Sequence, residues 1–66
     1  MTVNINNQSK SILENSTVER LLDQLQIVPN GIAVAINNEV ISKNKWDQVR
    51  IQNNDAITII HATQGG

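Results

Sequence analysis

A chain of 66 residues, 39% of them hydrophobic, with no cysteine and a formal net charge of −1, is one small domain that must hold together by packing alone. The missing cysteines exclude a disulfide and a cysteine-based zinc site, and a single histidine, His61, suggests no other metal set. Without a basic stretch nucleic acid finds no electrostatic hold, and no apolar run approaches the roughly 20 residues of a membrane span.

Met1-Thr2-Val3-Asn4 lacks the charged and apolar regions of a signal peptide, so a soluble, cytoplasmic protein is expected. Val3 and Ile5 alternate with polar neighbours across Thr2 to Asn6, the period of a strand. Asn6-Asn7-Gln8-Ser9 has turn chemistry, and a short second strand through Ser11, Ile12 and Leu13 would complete a hairpin. Ser16-Thr17-Val18-Glu19 reads as a capping box, with the Ser16 hydroxyl on the Glu19 amide and the Glu19 side chain reaching back. Val18, Leu21, Leu22 and Leu25 follow at helical spacing and form one apolar stripe, predicting a helix over Thr17–Gln26. Pro29-Asn30-Gly31 is expected to stop it.

Ile32 to Ile36 is predicted as a strand with Ile32, Val34 and Ile36 on one side and Ala33 and Ala35 on the other. Asn37-Asn38 turns the chain into a short strand, Glu39 to Ile41. Ser42 to Gln48 reads as irregular, with Trp46 packed beneath it as an anchor. Asn53-Asn54-Asp55 is a further turn, in which Asp55 satisfies backbone donors. Ala56 to Ala62 is the last strand, and its branched residues Ile57, Ile59 and Ile60 suggest a central position flanked on both sides. One helix cannot cover both faces of a sheet, so the sheet wraps one side of it, an α+β arrangement. Helix stripe and last strand together place the first and last strands side by side and parallel.

That element order, with Ala33-Val34-Ala35-Ile36-Asn37, Val40-Ile41, Trp46, Asn54-Asp55 and the closing Gly65-Gly66, resembles the ubiquitin-like, or β-grasp, proteins and within them the ThiS family of sulfur carriers. The resemblance covers essentially the whole chain. ThiS-like chains often carry a proline near position 42 followed by an arginine, where this chain has Ser42 and Lys43. The resemblance implies a β-grasp fold, with a mixed sheet of four to five strands on one helix, over residues 1–62, and a C-terminal tail over 63–66. It also implies that a ThiF-type enzyme adenylates the Gly66 carboxylate at the expense of ATP. Sulfur from a donor enzyme then gives a thiocarboxylate, which a ThiG-type thiazole synthase uses for the thiazole of thiamine. On this reading the chain is a carrier and not an enzyme, binds no cofactor of its own, and meets neither nucleic acid nor membrane.

The chemistry suits the residues. A terminal carboxylate, with a reference pKa of about 3.5, is ionised at neutral pH and can attack the α-phosphate of a nucleotide. Gly65 and Gly66 carry no Cβ, so the backbone can thread a narrow channel. Four extended residues reach at most about 14 Å from the domain. With no thiol, the chain cannot hold sulfur as a side-chain persulfide, so if it carries sulfur covalently the C-terminus is the natural place. Thr58, His61 and Thr63, on or just after the last strand, are the candidate docking residues. A carrier for molybdopterin or another sulfur acceptor has the same tail chemistry, and a β-grasp binding module with an idle tail is a third reading. His61 itself has no ligand partner in the sequence and reads as a partly exposed strand residue.

Overall fold

The computed structural model describes residues 1–61. Ala62 and the expected tail, Gly65 and Gly66 included, lie outside the described residues. Five strands and one α-helix run in the order β1 (Thr2–Ile5), β2 (Gln8–Ser11), α1 (Val18–Gln24), β3 (Ile32–Ile36), β4 (Glu39–Ile41) and β5 (Ala56–His61), with a single 3₁₀ turn over Lys43–Lys45. They form one mixed sheet in the order β2-β1-β5-β3-β4. β5 is central: it lies parallel to β1 and antiparallel to β3. The α+β, β-grasp expectation and the parallel pairing of first and last strands are both met.

Alternation along each strand sorts the side chains. Val3, Ile5, Val34, Ile57 and Ile59 point inward and are buried. Val18, Leu21 and Leu22 of α1 meet them, each almost fully removed from solvent. Each such side chain stabilises the fold by about 1.5–3 kcal/mol. Leu25, the last position of the expected stripe, is only half-buried. Trp46 is the anchor foreseen under the irregular segment: it is buried, and its Nε1–H donates to the Ile41 carbonyl at 3.0 Å.

The capping box is shifted by one residue. Thr17, not Ser16, is the N-cap, its hydroxyl accepting from the Arg20 amide at 3.2 Å. The Val18 and Glu19 amides donate to the Val49 and Trp46 carbonyls at 3.1 and 3.0 Å. Tertiary carbonyls thus satisfy donors that a capping box would have shared. Ser16 is buried instead: it donates to the Leu13 carbonyl at 2.7 Å and accepts from Gln24 Nε2 at 2.8 Å. The helix also ends earlier than expected, well before Pro29. Gln26 takes a left-handed φ of 57°, its amide donates to the Asp23 carbonyl, and the Ile27 amide donates to the Leu22 carbonyl. This is the Schellman closure, with glutamine where glycine is usual. The second strand begins at Gln8 and stops at Ser11, leaving Ile12 to enter the core and Leu13 exposed.

Both hairpins close on an Asn-Asn pair. Asn6 and Asn7, and again Asn37 and Asn38, all have positive φ between 49° and 72°. Ile5 pairs with Gln8 and Ile36 with Glu39, so each loop has two residues. Two left-handed residues in succession match the right-handed twist of the strands, and asparagine tolerates that conformation. In each pair the first asparagine also reaches β5. Asn6 Oδ1 accepts the Ile59 amide at 2.9 Å and its Nδ2 donates to the Ile59 carbonyl at 3.2 Å. Asn37 Oδ1 accepts the Ala56 amide at 3.0 Å, while the Asn37 amide donates to the Ala56 carbonyl at 2.7 Å.

Candidate functional site

The predicted sulfur-carrying residue, Gly66, and Gly65 before it lie outside the described residues, as does Thr63. What the structure places is the strand that leads to them. β5 is held by β1 on one side and β3 on the other, and the two asparagine side chains fasten it at Ala56 and Ile59. Beyond Ile59 the strand stays paired with β3 out to His61.

The side of the sheet turned away from α1 is uncharged. Strand alternation and register put Thr2, Asn4, Ser9 and Ser11 on its β1–β2 half. Ala33, Ala35, Val40, Ala56, Thr58 and Ile60 share the β3–β4–β5 half. Among the described residues Val40 and Ile60 are large apolar side chains left 73% and 58% exposed. Depletion of charge around exposed apolar residues is the composition of an interface centre. Thr58, one predicted docking residue, lies in this face. His61 does not: by the same alternation it falls on the helix side, exposed at the end of β5. The apolar pair Val40 and Ile60 was not singled out from sequence, although Ile60 follows the buried Ile59 in the alternation of β5.

Asp55 accepts the Gln52 amide at 2.8 Å and Asn37 Nδ2 at 3.1 Å, the turn-satisfying role expected of it. Among the described residues no group of three or more His, Asp or Glu side chains could hold a metal ion. Among the described residues no helix is long and apolar enough to cross a membrane.

Three comparisons with known proteins bear on this arrangement. The ThiS family matches residues 3–66. The sulfur carrier protein ThiS of Escherichia coli is 32% identical over 66 residues, spanning all of both chains. A protein named thiazole synthase, from Magnetococcus marinus, is 30% identical to the whole of this chain over 20% of its own length. The crystal structure of the thiamine biosynthesis protein ThiS from Geobacter metallireducens superposes with a TM-score of 0.87 over all of both chains at 23% identity, which establishes the shared fold. By sequence over nearly its full length, and by a fold in which a central last strand leads into Gly65-Gly66, this chain belongs to the ThiS family of sulfur carriers.

Proposed function

We propose that the backbone carboxylate of Gly66 carries sulfur for thiazole formation in thiamine biosynthesis. The carrying observation is the match to the ThiS family, which runs through residue 66 and so includes Gly65-Gly66. A carboxylate oxygen of Gly66 attacks the α-phosphorus of ATP on a ThiF-type enzyme, and pyrophosphate leaves. Sulfide supplied by a donor enzyme attacks the acyl carbon, AMP leaves, and a thiocarboxylate forms. The thiocarboxylate then delivers its sulfur on a ThiG-type synthase. The chain itself is a co-substrate of these enzymes, binds no cofactor, and works in the cytoplasm. Relatives in which a segment like this chain forms part of a protein named thiazole synthase support that partner.

The uncharged sheet face is the docking surface in this reading. A carrier must leave one enzyme to reach the next, so the contact is transient, and both enzymes use the face beside the strand that delivers the tail. Thr58, Ile60 and Val40 are at its centre.

Deletion of Gly66 tests the proposal. The new terminus is still a carboxylate but stops about 3.5 Å short, and a misplacement of 1 Å can cost about a hundredfold in rate. The assay is incubation with the activating enzyme, ATP and sulfur donor, followed by mass spectrometry. Full-length chain gains the mass of a thiocarboxylate and the shortened chain does not. Equal thiolation of both chains overturns the reading.

A further inference from the structure

The helix side of the molecule has an opening of its own, remote in role from the sheet face. A groove of about 360 Å³ lies between α1, the loop after it and the 3₁₀ turn, a volume at the lower end of ligand-binding clefts. Its base is apolar, formed by Leu22, Ile27, Pro29 and Trp46. Its rim is acidic. Glu19 and Asp23 stand one turn apart on α1, and Asp47 follows Trp46 on the opposite wall. Among the described residues none of these three carboxylates forms an ion pair. The one cation of the lining, Lys43, is turned to the Trp46 ring, its Nζ 6.0 Å from the ring centre.

We propose that this groove receives a segment of a partner protein carrying arginine or lysine between aliphatic residues. The aliphatic side chains cover the Leu22–Ile27–Pro29 base, and the cationic heads meet Glu19, Asp23 and Asp47. Three carboxylates only accept hydrogen bonds, so an anionic or carboxylate-bearing segment has nothing to bind there except Lys43. A concave site lined mainly by one sign of charge raises the local concentration of the opposite sign. The groove, built from α1 and the 3₁₀ turn, is separate from the uncharged face on the far side of the sheet. Occupancy of one leaves the other open, and a partner seated here can hold the carrier while its tail is handed over.

Trp46 is the chain's only aromatic residue, so its fluorescence and its indole N–H resonance report on this groove without interference. The probe is a capped peptide, acetyl-Leu-Arg-Arg-Leu-amide, with its Gln-Gln and Glu-Glu counterparts as comparisons. The basic peptide is expected to shift both Trp46 signals saturably, and raising salt from 10 mM to 1 M, which shortens the screening length from about 30 to about 3 Å, should weaken it. The triple variant E19Q/D23N/D47N, altered only at exposed side chains, should bind it roughly tenfold less tightly, from a few-fold loss per exposed pair. K43M should bind it more tightly, because a like charge is removed and the Trp46 ring is freed for the guanidinium. Deletion of Gly66 should leave the affinity unchanged, which separates this site from the sulfur chemistry. The proposal is overturned if the Trp46 signals do not move at millimolar basic peptide. It is overturned equally if the Gln-Gln or Glu-Glu peptide binds as well, or if the triple variant binds as tightly as the unaltered chain.

Discussion

The side-chain amide of Asn6 pairs with the backbone of Ile59 as a strand residue would, accepting its N–H at 2.9 Å and donating to its C=O at 3.2 Å. β1 turns away from β5 at this point, and the side chain supplies the rung that the departing backbone no longer can. Asn37 does the corresponding work at Ala56 from the other hairpin. The two Asn-Asn loops thus set the hairpin twist and also fasten both hairpins to the central strand.

Asn6→Ala should therefore destabilise the chain by about 1–3 kcal/mol, since it strands two backbone groups and forces alanine into a left-handed φ. Asn6→Gly keeps the torsion and loses only the clamp, so it should cost less. In both variants the Ile59 amide should exchange with solvent faster than those of its neighbours. Unchanged exchange at Ile59 in both would show that the clamp is not what protects it.

The two asparagines of the second loop should respond in opposite directions. Asn38, at φ 72° with no side-chain bond among those described, gains from glycine, which is the preferred residue there. Asn38→Gly should raise stability by up to about 1 kcal/mol. Asn37→Gly loses the bonds to Ala56 and Asp55 and should lower it. Denaturant midpoints at constant slope give the comparison directly.

Leu22 is 2% exposed beneath the sheet. Leu22→Ala should cost about 2–5 kcal/mol, and in so small a domain that lowers the melting temperature by at least about 8 °C. A melt at the unaltered temperature would remove Leu22 from the core.

On the uncharged face, Ile60→Lys should leave the fold within about 0.5 kcal/mol of the original, as exposed substitutions do. It should weaken binding to the thiazole synthase by about tenfold or more, the loss expected when a charge enters an interface centre. Sedimentation or calorimetric titration with the purified synthase measures it, and an unchanged affinity would move the docking surface elsewhere.

Gly65→Val keeps the terminal carboxylate in place and adds a branched side chain beside it. Activation by the adenylating enzyme should slow while thermal unfolding stays the same. Equal adenylation rates would mean that the channel has room for a side chain at this position.

Much of this architecture could be read from the sequence because it is periodic. Alternation at Val3 and Ile5, the stripe Val18-Leu21-Leu22 and the branched run of β5 each report a face, and together they place the first and last strands side by side on one helix. The failures arose where local signals tied and distant residues decided. Ser16 and Thr17 are both competent caps; the choice falls to Thr17 because Gln24, from the far end of the helix, claims the Ser16 hydroxyl. Gln26 closes the helix in a conformation that its residue type does not announce, so the stronger Pro29-Asn30-Gly31 signal drew the boundary too late. The asparagine clamps link residues 53 and 19 positions apart, and no local pattern contains them. The reading of Gly65-Gly66 rests on the family resemblance and falls outside the described residues, whereas the acidic groove needs separate segments to come together.

The strand at the centre of the sheet is also the last of the described strands to be synthesised. Until Ala56–His61 has been made, the β1–β2 and β3–β4 hairpins share no partner, and a lone hairpin is marginal in water. Folding of the sheet must await β5, through contacts of long sequence separation that close slowly. A product broken off before β5 thus lacks the strand that joins the two hairpins, and its exposed backbone is open to proteolysis.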